Sequence, residues 1–91
     1  MNEKEERKNA DDLRPEYMFQ EDAGAYLNTT GRKIAMYRKH GLLKSCKFGH
    51  NYVYRRAWLD AFAEEWSGYD LSNEEKVIQA ISAKSWRRKH S

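Results

Sequence analysis

Apolar positions in this chain follow two different periods, and the places where the period changes mark its elements. Residues 1–14 carry charge and no apolar period, which predicts a flexible or weakly helical tail. Patterning starts after Pro15, with Tyr17, Met18 and Phe19. In 20–27, Ala23, Tyr26 and Leu27 fall at i, i+3 and i+4 and predict a short helix. Glu21 and Asp22 suit its positive end, and Gly24 and Ala25 are small enough to let another helix cross closely. Asn28-Thr29-Thr30 reads as a turn. A second helix follows, with Thr29 or Thr30 as its cap and Gly41 as its stop. Ile34 and Tyr37, with Arg38 beside them, share one side of it; Arg32, Lys33, Met36 and Lys39 turn to the other.

Beyond Gly41 the period drops to two. Leu43, Ser45 and Lys47 alternate with Lys44, Cys46 and Phe48, and Tyr52-Val53-Tyr54 supplies a second β-prone run. This predicts a hairpin with its tip near 49–51. From Arg56 to Trp66 the helical period returns, and Trp58, Leu59, Phe62 and Trp66 form a broad stripe read as core, with Asp60, Glu64 and Glu65 opposite. Residues 67–70 break that helix. Ser72 with Glu75 reads as a capping box opening a last helix to about Lys84, with Val77, Ile78 and Ile81 on one side. Residues 86–91 close the chain as a basic tail tipped by Trp86. The expected fold is mainly α with a small β-hairpin: a winged helix-turn-helix domain over 15–66 and a C-terminal helix over 67–85.

Charge sharpens this picture. Of the formal net charge of +3, the middle block 15–66 holds eight Lys/Arg against six Asp/Glu. All eight cations lie between Arg32 and Arg56, and no acid occurs from Arg32 through Leu59. The acids of the block sit at its two ends, so the domain is electrically two-sided, as a chain is when one face meets a polyanion. A merely solvated basic face is the plainer alternative. The single cysteine, Cys46, cannot form an internal disulfide, and no apolar run is long enough to span a bilayer. A charged N-terminus without a signal-peptide apolar region adds to the expectation of a cytoplasmic protein that does not engage membranes.

The candidate DNA-binding residues follow from these faces. Arg32, Lys33, Met36 and Lys39 are placed toward a major groove, with Arg32 the best fitted to fork onto a guanine. Lys33 and Lys39 suit phosphates, and Thr30 with the first N–H groups of its helix suits another. Lys47, His50, Arg55 and Arg56 would follow the adjacent backbone or minor groove from the hairpin. No Gly-rich phosphate loop, nucleophile elbow or paired metal motif occurs, so no enzyme, cofactor or metal is expected. Cys46 with His40 and His50 makes a poor zinc set, since a lone cysteine is commonly core.

At the level of residues, 17–62 resembles the excisionase-type helix-turn-helix proteins, small relatives of the MerR-like winged-helix group. The pieces that carry the resemblance are Glu21-Asp22-Ala23 with Tyr26-Leu27, Thr30, Ile34, His40-Gly41-Leu42, Lys47-Phe48-Gly49-His50 with Tyr52 and Tyr54, and Trp58-Leu59-Asp60-Ala61-Phe62. The chain departs from the family at Phe19, Leu43 and Arg55, and at Ala35 and Met36 inside the second helix. The resemblance implies sequence-specific double-stranded DNA binding by a phage or mobile-element protein, self-association on DNA, and bending of DNA to steer an integrase or other recombinase toward excision. Other members of the same fold are transcription regulators, and the small-terminase DNA-recognition domain of phages is similar in shape. A protein-interaction module is the reading from a different class, resting on the acidic surface of the 56–66 helix and on Val77, Ile78 and Ile81.

Overall fold

Tyr17–Phe19 is a strand, β1, although three residues are too few to show a period. The computed structural model that reveals it describes residues 16–90, so the charged segment expected over 1–14 lies outside the described residues. After β1 come α1 (Gln20–Tyr26), α2 (Gly31–Lys39), β2 (Cys46–Phe48), β3 (Asn51–Arg55), α3 (Arg56–Glu65) and α4 (Glu74–His90). The described residues thus form a mixed α/β structure with four helices and one three-stranded antiparallel sheet ordered β1-β3-β2. The expected hairpin is present as β2 and β3, and β1 completes the sheet on its other side.

Phe48 pairs with Asn51, which leaves Gly49 and His50 as a two-residue turn. Gly49 has φ +65 and stands first, the order that type II′ hairpin turns use. Along β3 the side chains alternate between two faces. Tyr54 and its partner Met18 point into the core, 0% and 2% exposed. Val53, opposite Phe19 and Cys46, is buried on the other face, outside the main core cluster.

That cluster joins Met18, Ala23, Ile34, Tyr37, Leu43, Tyr54, Leu59, Phe62, Trp66, Val77 and Ala80. Ile34, Tyr54, Leu59 and Val77 are its largest wholly enclosed side chains, each contributing about 1.5–3 kcal/mol by burial. Tyr37 of α2 lies against Phe62 of α3, ring centroids 4.9 Å apart. Trp58 departs from expectation: it is half-buried and lies outside the cluster, because Leu59, Phe62 and Trp66 already fill the inward arc of α3.

The last helix differs from its sequence reading in three respects. Its cap is Asn73, whose side chain accepts from the Lys76 N–H at 2.9 Å. Ser72 instead gives its N–H and hydroxyl to the Asp70 carboxylate, at 3.0 and 2.6 Å, in an Asx turn. Those two bonds hold the Asp70 carboxyl below its usual pKa, with help from Lys76 and Lys33. The helix does not end near Lys84 but runs on to His90, so the basic residues after Trp86 extend it. Ile78 does not share a side with Val77: a turn of about 100° between neighbours sends Val77 to 0% exposure and Ile78 to 54%. Ala80 takes the inward place beside Val77, with Ile81 at the margin.

Candidate nucleic-acid interface

The α2 helix is fixed at both ends by the devices its sequence announces. Thr30 Oγ1 accepts from the Lys33 N–H at 3.2 Å. At the other end Gly41, at φ +81, donates to the Arg38 carbonyl while Leu42 donates to the Tyr37 carbonyl, at 3.0 and 2.9 Å. This pair of bonds is a Schellman motif, and it stops the helix without leaving its last carbonyls orphaned.

Between these ends, Gly31, Ile34 and Tyr37 are buried, so the helix presents the opposite arc outward. Arg32 and Lys39 are exposed there, with Ala35 and Met36 half-buried between them. Met36 also packs against the core, which leaves it little length to extend. Arg32, Ala35, Met36 and Lys39, together with His40 and Glu74, line one shallow concavity.

Arg38 ties the hairpin to this helix. Its Nε donates to the Tyr54 hydroxyl at 3.1 Å, and its guanidinium lies 3.7 Å from the centre of the Tyr52 ring. Burial pushes the Tyr54 phenol above its ordinary pKa, and the Arg38 bond works against that shift. Lys47, the cross-strand partner of Tyr52, approaches the same ring at 5.5 Å. One tyrosine ring therefore connects a cation of α2 to a cation of the hairpin. Sequence reading places Arg38 beside the anchoring side of the helix but does not connect it to Tyr52. The available signal is the pair of spacings: Arg38 four positions after Ile34, and Tyr52 two before Tyr54.

The remaining candidates separate. His50 is exposed at the hairpin turn. Arg55, by strand alternation, points to the other face of the sheet from Tyr52 and Tyr54, where its Nε donates to Glu16 at 2.8 Å. Glu16 keeps that guanidinium charged still more firmly than usual. Arg56 opens α3 half-buried, its N–H donating to the Glu16 carbonyl at 2.8 Å. Lys33 is half-buried, less exposed than Arg32 and Lys39, and its charge contributes weakly to lowering the Asp70 pKa. Thr30 is exposed, but the Glu21 carboxylate fills the space that a Cβ on Gly31 would take. A carboxylate therefore already stands at the α2 N-terminus, where the sequence expects a phosphate.

Two acids join this region from outside the acid-free run. The Leu71 carbonyl accepts from Tyr37 Oη at 2.9 Å, holding the 67–73 segment against α2. Burial raises the Tyr37 pKa, and the Asp70 charge adds to the rise. Just beyond, Glu74 meets His40 Nε2 at 2.9 Å. The basic arc of α2 is consequently flanked by the hairpin on one side and by Asp70 and Glu74 on the other.

Among the described residues no group of three or more His, Cys, Asp or Glu is placed to hold a metal ion. No helix among them is long and apolar enough to cross a membrane. Comparison with known protein families, curated proteins and solved structures finds no match to this chain.

Proposed function

We propose that this chain binds double-stranded DNA as a winged helix-turn-helix protein, with α2 in the major groove and the β2–β3 hairpin as the wing. The observation that carries the reading is the outward pair Arg32 and Lys39 on a helix capped at both ends, coupled through Arg38 and Tyr52 to Lys47 of the hairpin. A helix so held presents cations in a fixed register, which is what reading base edges between two phosphate backbones requires. Arg32 takes the role of base reader, Lys39 and Lys47 that of phosphate contacts, and His50 follows the backbone at the wing tip. The role in recombination, steering an integrase toward excision of a mobile element, belongs to this proposal through the resemblance of 17–62 to the excisionase-type proteins.

The test is the salt dependence of binding to duplex DNA. Arg55 is paired with Glu16 and Lys33 is half-buried, so about four phosphates remain to be neutralised, and log K should fall with log salt at a slope near −4. A slope near zero, or no duplex binding at low salt, overturns the reading.

Glu74 supplies a second expected result. Its carboxylate borders the same concavity as Arg32 and Lys39, where it would lie beside approaching phosphates. Glu74→Gln should therefore tighten duplex binding, by about threefold to tenfold at low salt and less as salt is raised. Its hydrogen bond with His40 is at the surface, so loss of that contact should change stability by under about 1 kcal/mol. Titration of both proteins against one duplex at two salt concentrations checks it.

A further inference from the structure

The outward side of α4 carries an apolar strip that the core does not use. Val77 and Ala80 turn inward, and Lys84 reaches the Glu65 carbonyl and lies over the Trp66 and Tyr69 rings. On the far side, Ile78 and Trp86 are 54% and 63% exposed, and together with Ile81, Ser82, Ser85 and Lys89 they line a shallow groove. At about 100° per residue, Glu75, Ile78, Trp86 and Lys89 all fall within about 40° of Ser82 around the helix axis. Val77, Ala80 and Lys84 fall about 140–160° from it.

The order of these residues is symmetric about Ser82. Glu75 and Lys89 stand seven positions from it on either side, and Ile78 and Trp86 stand four. We propose that this face of α4 pairs with α4 of a second copy of the chain, antiparallel, across a two-fold axis at Ser82. In that arrangement each Glu75 meets the other copy's Lys89, each Ile78 meets the other Trp86, and the two Ser82 residues meet each other. A small residue at the centre lets two helices approach to the usual 8–10 Å between axes. An isologous contact needs a surface complementary to itself, and the Glu75 and Lys89 positions meet that requirement in charge. The parallel alternative sets Glu75 on Glu75 and Lys89 on Lys89, and so is disfavoured by its charges.

The pairing does not depend on DNA, and its test contains none, so failure of either proposal leaves the other standing. In a chain with Cys46 replaced by Ser, Ser82→Cys should form a disulfide-linked dimer on mild oxidation, whereas Ala83→Cys, turned away from the axis, should not. In sedimentation of the otherwise unaltered chain, Glu75→Lys should weaken self-association at least about fivefold, and adding Lys89→Glu should restore it. Ile78→Glu should leave a monomer whose circular dichroism is unchanged, since this side chain is already exposed. Equal cross-linking at 82 and 83 overturns the proposal, as does a charge swap that fails to restore association. A chain that stays monomeric at every concentration, including one that gains mass only with a different protein, overturns it as well.

Discussion

Gly24→Ala should destabilise the protein by about 2–3 kcal/mol, lowering the thermal midpoint by about 10–20 °C. The residue lies where α1 crosses the start of α2, and a Cβ there would stand 2.5 Å from the Thr30 carbonyl carbon and 2.7 Å from the Gly31 nitrogen. Both are backbone atoms, and Thr30 is the cap of α2, so relief would require the two helices to part at the turn that sets their angle. Alanine's better helix propensity returns at most about 1 kcal/mol. Urea unfolding of the two proteins decides between these effects. A variant as stable as the parent would mean that the α1–α2 crossing is looser than described. Because the same crossing aims Arg32 and Lys39, the substitution should also weaken duplex binding under conditions where the protein remains folded.

Gly24 also illustrates what the sequence made legible. A small residue inside a short amphipathic segment, next to a threonine-rich turn, signals a close helix crossing, and the crossing is present. The ends of α2 were readable for the same reason: a hydroxyl cap and a glycine stop act on backbone groups within a few residues. The hairpin was readable from its change of period, although β1 was not, because three residues carry too little pattern and their partner strand lies more than thirty positions away.

The candidate site was legible in its ingredients but not in its arrangement. An acid-free stretch holding eight cations suggested one continuous basic face from Arg32 to Arg56. Strand alternation turns Arg55 to the far side of the sheet, and helix rotation leaves Lys33 half-buried beside the exposed arc. The acids that border the face, Asp70 and Glu74, come from a segment whose approach depends on tertiary contacts: the Tyr37 bond to Leu71 and the burial of Val77. Local pattern marks Val77 as apolar but carries no trace of the Tyr37 bond or of what Val77 packs against. Ser72 and Asn73 pose a smaller version of the same problem, since both are competent caps and a bond to Asp70 decides which one serves.

This sorting of equal charges gives the sharpest expectation for function. Arg32→Ala with Lys39→Ala should cost about 2–4 kcal/mol of affinity for a specific duplex and flatten the salt slope by about one, the phosphate contact of Lys39. Both side chains are exposed, so the double variant should fold as the parent does, within about 0.5 kcal/mol for each site. Lys33→Ala with Arg55→Ala removes the same net charge from the same run of sequence but should cost under about 1 kcal/mol, because Lys33 is half-buried off the exposed arc and Arg55 is paired with Glu16. Binding isotherms for the two double variants, taken at two salt concentrations, separate a fixed interface from a diffuse one. Equal losses would mean that DNA responds only to the summed charge and that α2 has no register on the groove. A loss confined to Arg32 and Lys39 would mean that the geometry of α2, held by its caps and by Arg38 on Tyr52, selects which cations the nucleic acid meets.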